Sequence, residues 1–250
     1  MKEILNTDFG KFMDSRGGRL GEGYRLIQYW GLYQGDYFYN WFSDLLEKYT
    51  KKKDLTFNDV YKMYGHELVV TATDLTKRKL VYYNHLDNPN MEIRDAVRRS
   101  MSIPVFFVPI LVKDGDGLIH VYVDGGCTNN FPLNYFDKYY STAYDAFDKT
   151  LGFNLTENDN NDKDPKLYTD RTTHIGNVID LVQTLVNTDV EVIERLRLTD
   201  YDKYRVVTIN TYDMDATNFN MNREDINKLI ESGYKATKAF FGEHVNSTVQ

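Results

Sequence analysis

Apolar side chains recur at helical spacing at Phe38, Trp41, Phe42, Leu45, Leu46 and Tyr49, a stripe that predicts an amphipathic helix facing a core. Thr56 then offers an N-cap and Gly65 a left-handed stop, so a short helix is expected between them, both faces of the pair reading as core. The pattern next changes period. Glu67 to Thr73 and Leu80 to Tyr83 read as strands, the first a near-continuous run of the kind buried between helical layers of a central sheet. Met91 to Met101 is expected to be helical, and Ile110 to Lys113 should pair with Leu118 to Val123 across the turn Asp114-Gly115-Asp116-Gly117. That turn begins like a calcium loop but lacks its remaining oxygen ligands and closing glutamate, so it reads as a hairpin turn.

Residues 156–166 are almost wholly polar and cannot bury apolar area, which predicts a flexible surface loop. Beyond it, Ile175, Val178, Ile179, Val182, Leu185 and Val186 form a helical stripe, Val206 to Ile209 a strand, and Asn222 caps a final helix bearing Ile226, Leu229, Ile230 and Tyr234. Helices and strands alternate as in an α/β fold. With 250 residues, 42% of them apolar, a single domain spanning 1–250 is expected.

Composition narrows the partners. A net charge of −7 and a pI near 5.3 provide no basic field for nonspecific binding of nucleic acid, which is not expected as a partner. The longest apolar run, Ile103 to Val112, is broken by Pro104 and Pro109 and falls short of the ~20 residues of a spanning helix, so no transmembrane segment is expected. One cysteine, Cys127, allows no internal disulfide and fits a reducing compartment; with no apolar leader at the N-terminus, a soluble cytoplasmic protein is expected. The sequons at Asn154 and Asn246 would matter only after secretion. His66, His85, His120, His174 and His244 lack metal-ligand spacing, so neither a metal nor another cofactor is expected.

Candidate chemistry concentrates in Val121-Tyr122-Val123-Asp124-Gly125-Gly126. An alternating strand delivers a carboxylate onto two glycines, where backbone can approach a reacting group closely. Upstream lie Ala96-Val97-Arg98-Arg99-Ser100-Met101-Ser102-Ile103-Pro104, and downstream Asn129-Asn130-Phe131-Pro132. In this order and at about this spacing, the three segments resemble the A-x-x-x-S-x-x-x-P, D-G-G and N-N-x-P motifs of the patatin-like phospholipases. Asp8 to Phe12, Gly31 to Asp36, Leu55 to Phe57 and Val70 to Leu75 extend the resemblance over nearly the whole chain. It implies a three-layer α/β sandwich and hydrolysis of lipid carboxylic esters by a Ser-Asp dyad without histidine. Asp124 is then the dyad acid/base, and Gly125 and Gly126 permit the tight backbone beneath it.

The family's beginning does not occur in these residues: there is neither a glycine-rich oxyanion loop in its usual place nor a G-x-S-x-G elbow. None of Ser15, Ser43, Ser100, Ser102, Ser141, Ser232 and Ser247 has glycines at both second neighbours. Ser100 and Ser102 read as helix-terminal residues before Pro104. Cys127 reads as a small filler beside a turn, and Gly17 to Gly23, which faintly resembles the oxyanion loop, reads as a flexible loop. The resemblance therefore implies a fold incomplete at the N-terminus, lacking the first strand and the nucleophile strand. Exposed sheet edge and apolar surface should follow, with the remainder either encoded upstream or supplied by a separate chain, and no activity from this chain alone. The alternative is a non-catalytic scaffold that binds lipid or protein.

Overall fold

Local signals explain most of the elements. The computed structural model describes residues 2–15, 17–140, 142, 149–156, 175–176, 178–199, 202–212, 214 and 217–247. In chain order the principal elements are α1 (Lys2–Asn6), α2 (Gly18–Tyr29), β1 (Gly31–Tyr33), α3 (Asp36–Thr50), α4 (Phe57–Tyr64), β2 (Val70–Asp74), β3 (Lys79–Tyr83), α5 (Ile93–Ser100), β4 (Val105–Phe107), β5 (Ile110–Lys113), β6 (Ile119–Asp124), α6 (Gly126–Asn129), β7 (Gly152–Thr156), α7 (Val178–Arg197), β8 (Val206–Asn210) and α8 (Arg223–Ser247). The mixed α/β class expected from the pattern is present, divided into two compact units. No described helix is long and apolar enough to cross a membrane.

The larger unit comprises Phe9–Asn130 and Thr173–Glu191. Its main sheet runs β3-β2-β6-β5, all neighbours antiparallel, while β1 and β4 form a separate parallel pair. The hairpin falls where expected: Ile110 lies opposite Tyr122 and Lys113 opposite Ile119, and Gly117 turns at φ 80°, which a glycine adopts without strain. One sheet face carries Ala72, Tyr83 and Tyr122 onto Leu55, Phe57, Ile93 and Ala96, with Phe42 and Leu46 of α3 packed alongside. Period-two alternation makes that possible, since Tyr122 and Ala72 point to the same side of paired strands.

Helix ends follow the capping chemistry. Thr56 Oγ1 accepts the Asp59 N–H at 3.1 Å while the Asp59 carboxylate accepts the Thr56 N–H at 2.9 Å, and Gly65 closes α4 at φ 67°. Helix α3 has no cap of its own at Gly35; Asp14 supplies one from 21 residues upstream, accepting the N–H groups of Gly35 at 2.8 Å and Tyr37 at 2.9 Å.

Two expectations need correction. Tyr49 closes the α3 stripe in sequence but is exposed, so the buried face ends before it. The glycine cluster is not a loop: all but its first residue, Gly17, lies in α2, which begins at Gly18. Glycine's poor helix propensity does not prevent the helix here; toward its C-terminal end buried Arg25 ties it to β1, its Nε donating to the Leu32 carbonyl at 2.7 Å. Helix α2 leaves Leu20, Tyr24 and Ile27, at helical spacing, 89%, 63% and 82% exposed.

The smaller unit comprises Met1–Asp8, Phe131–Thr172 and Val192–Gln250. Its strands β7 and β8 are parallel, Gly152 opposite Val206 and Thr156 opposite Asn210. Helix α8 packs on β8, where the Ser232 hydroxyl donates to the Asn210 carbonyl at 2.7 Å, and Asn222 caps the helix by accepting the Asp225 N–H at 2.9 Å. Buried Arg205 joins Asp202 and Asp137. Of the expected polar loop, residues 157–166 lie outside the described residues, and Thr156 ends β7.

Candidate active site

Asp124 is the last residue of β6, opposite Ala72 of the central strand β2. Its N–H donates to the Ser102 carbonyl at 2.9 Å, and its Oδ1 accepts the Gly126 N–H at 2.6 Å. The side chain is half-buried, and among the described residues no cation or imidazole pairs with it. Burial raises its pKa from 3.8 to about 6, the Gly126 N–H offsetting part of that rise. A carboxylate so placed is a stronger base than usual and is not tied up in an ion pair.

Space is tight at both glycines, against main chain at Gly125 and against side-chain ends at Gly126. A Cβ on Gly125 would stand 2.3 Å from Thr71 Oγ1 and 2.8 Å from the Thr71 carbonyl oxygen; one on Gly126 would stand 2.9 Å from Asp124 Oδ1 and 2.7 Å from Asn130 Oδ1. The chain turns immediately into α6, pinned by the N–H groups of Thr128 and Asn129 on the Gly125 carbonyl, at 3.1 and 3.0 Å, and by a 2.8 Å hydroxyl pair between Thr128 and Thr73. The three residues singled out in the sequence thus form one strand-to-helix turn.

The thiol and the buried serine hydroxyls do not fit catalysis. The Cys127 thiol is pushed up to about 12 by burial and by the charge of Asp124, which suits a filler and opposes a thiolate. The hydroxyls of Ser43, Ser102 and Ser232 are buried and donate to the carbonyls of Tyr39, Arg98 and Asn210. Ser100 ends α5, as its place before Pro104 suggested.

Two arrangements escaped sequence reasoning. Arg98 is buried and reaches Ser102, the residue that holds the Asp124 backbone; its Nη1 donates to Ser102 Oγ at 2.6 Å. His120, to which sequence spacing assigned no role, is a fully buried bridge: Nδ1 meets Asp74 Oδ2 at 2.7 Å, Nε2 meets Asp116 Oδ2 at 3.1 Å, and Lys77 closes on Asp116 at 2.8 Å. The Asp74 and Asp116 bonds raise the His120 pKa above 6.5. Burial alone would raise Asp74, but the bonds from His120 and the Lys77 N–H outweigh it and hold the carboxyl below its usual range. The alternation that puts His120, Tyr122 and Asp124 on one face of β6 was visible in sequence; the arrival of Asp74 was not.

A sequence model of the patatin-like phospholipases matches residues 1–137, more than half of the chain, and the chain belongs to that family. An uncharacterized protein of Acanthamoeba polyphaga mimivirus is 30% identical over 217 residues, which cover 86% of this chain and 66% of that protein. The uncharacterized protein YqhO of Bacillus subtilis is 30% identical over 249 residues, 95% of this chain and 78% of its own length. A probable lipid hydrolase of Invertebrate iridescent virus 6 is 33% identical over 89 residues, 36% of this chain and 29% of that protein. The chain therefore spans about two thirds of the length of the mimivirus relative and under one third of the iridescent virus protein.

Proposed function

We propose that this chain carries the acid/base half of a lipid acyl hydrolase, with Asp124 as the proton-transferring carboxylate of a Ser-Asp dyad. The serine and the oxyanion donors lie outside these 250 residues, on a preceding segment or on a second polypeptide. The observation that carries the reading is the state of Asp124: half-buried, free of ion pairing among the described residues, oriented by the Gly126 N–H and raised to about 6. Family membership and similarity to a protein described as a probable lipid hydrolase support the substrate class, a carboxylic ester of a lipid.

In this scheme the serine oxygen attacks the ester carbonyl while its proton passes to the Asp124 carboxylate. The carbonyl–oxygen bond to the alcohol then breaks, and the Asp124 proton goes to the departing alkoxide. Water attacks the acyl-enzyme, again losing its proton to Asp124, which returns it to the serine. A carboxyl near pKa 6 suits both directions: it is ionised at neutral pH and yet basic enough to accept the proton. Without the serine and the oxyanion donors, the chain alone has no covalent route and no electrostatic stabilisation of the tetrahedral intermediate.

The test is hydrolysis of a short-chain chromogenic ester by the chain alone and after mixing with a polypeptide that carries the G-x-S-x-G half of a patatin-like domain. Turnover is expected only in the mixture, and Asp124→Asn should abolish it. Turnover by the chain alone, or a mixture indifferent to Asp124→Asn, would overturn the proposal. Indifference would favour a non-catalytic scaffold, for which the exposed Leu20, Tyr24 and Ile27 of α2 offer a contact surface.

A further inference from the structure

Arg98 occupies an unusual position for a cation. The residue is only 5% exposed, yet every acceptor it meets among the described residues is neutral: Ser102 Oγ at 2.6 Å, the Val108 carbonyl at 3.1 Å, the Gln34 carbonyl, and the Met101 sulfur at 3.6 Å. Desolvation brings its pKa down to about 10, with the charges of Asp14 and Asp36 opposing the fall. A buried cation is costly, and an apolar side chain of similar size would fill the same space without that cost. The guanidinium must therefore do something that packing alone does not.

What it does is join three chain segments. Gln34 immediately follows β1 and Val108 immediately follows β4, so Arg98 holds the carboxyl ends of both parallel strands. The third segment is Ser102, whose side chain is bound to Arg98 at both ends: it accepts from Nη1 and donates to the Arg98 carbonyl at 2.7 Å. Ser102 is wholly buried, and its own carbonyl receives the Asp124 N–H. Room for the guanidinium is made by Gly35, where a Cβ would come within 2.6 Å of Arg98 Cζ. The glycine, the arginine and the serine are one device.

We propose that Arg98 is a positioning residue, acting through Ser102 to fix the end of β6, and with it the Asp124 carboxylate, against the carboxyl ends of β1 and β4. The proposal rests on the reading of Asp124 as the dyad acid/base. Ligands of open α/β folds gather at the carboxyl ends of parallel strands, and in-line proton transfer tolerates little error in heavy-atom distance. A planar fork with several fixed donors can register three segments at once, which the single ammonium of lysine cannot.

The test is a carbon-13 NMR titration of the Asp124 carboxyl in the whole chain, assigned by its disappearance in Asp124→Asn, for the wild type, Arg98→Lys and Ser102→Ala. The wild type should titrate near 6. In both variants the anchor on Ser102 is weakened, water reaches the strand end, and the midpoint should fall by about a unit or more toward an ordinary carboxylate value. Ser102→Ala keeps the main-chain bond to Asp124 and removes only the hydroxyl, so it carries the test if Arg98→Lys does not fold. A merely structural role would lower resistance to urea while leaving the Asp124 midpoint in place. Folded variants that titrate at the wild-type midpoint overturn the positioning role alone; a wild-type midpoint at 3.8 overturns the reading of Asp124 beneath it.

Discussion

Gly125→Ala separates steric from conformational effects at the candidate site. Gly125 sits at φ −61° and ψ −30°, a helical conformation that alanine adopts freely. On backbone grounds the substitution should therefore stabilise by about 0.4–1 kcal/mol, because the unfolded chain loses freedom. Against that stands Thr71. The new Cβ would lie 2.3 Å from Oγ1, 2.8 Å from the carbonyl oxygen and 2.9 Å from the carbonyl carbon. Oγ1 can rotate away, but the carbonyl has little freedom, since Thr71 is paired with Tyr82 of β3 and the next residue, Ala72, with Asp124 of β6. Overpacking of this kind costs about 1–3 kcal/mol, and a backbone held this way places it near the top of that range, for a net loss of about 2 kcal/mol. Both tryptophans, Trp30 and Trp41, lie in the larger unit, so urea unfolding followed by tryptophan fluorescence reports on the part that contains Gly125. With a slope of about 2 kcal/mol/M the midpoint should drop by ~1 M. Adding Thr71→Ala removes only the hydroxyl contact and should recover less than half of the loss. A Gly125→Ala midpoint at or above wild type, or full rescue by Thr71→Ala, would refute the argument that backbone approach requires this glycine.

Thr56→Ala removes the hydroxyl half of the α4 capping box and should cost about 1 kcal/mol, read as faster amide exchange across Phe57–Tyr64 with little change elsewhere in the unit. His120 predicts a pH dependence with a definite sign. Its folded pKa is raised above 6.5, so its contribution is full below 6.5 and is lost as pH rises through the raised value. Asp74 and Asp116 are lowered, so theirs is present above the ordinary 3.8 and lost as pH falls through the lowered values. The urea midpoint should therefore decline on the alkaline side of 6.5 in the wild type. In His120→Gln that decline should vanish and the Asp74 share of the acid limb should shrink with the lost bond, while the share of Asp116, held down chiefly by Lys77, remains; an identical alkaline slope in both proteins would contradict a charged imidazole between them.

What could be read along the chain was what depends on near neighbours. The helix from Thr56 to Gly65, the hairpin across Asp114 to Gly117, the Asn222 cap and the strand that presents Asp124 all follow from spacings of a few residues, and all are present. The same local logic failed at Gly17 to Gly23, where low helix propensity suggested a loop and an anchored helix formed, and at Tyr49, where periodicity continued past the edge of the core.

The amino-acid order by itself determined the family motifs, the candidacy of Asp124, Gly125 and Gly126, and the absence of a G-x-S-x-G segment from these residues, because each is a matter of which side chains stand in which succession. Only the tertiary structure decided what surrounds them. Thr71 sets the space at Gly125, Arg98 reaches Gln34 across 64 positions, and His120 meets Asp74 across 46. The raised basicity of Asp124 belongs to the same class: it arises from exclusion of water by segments distant along the chain, and no local pattern encodes a desolvation energy.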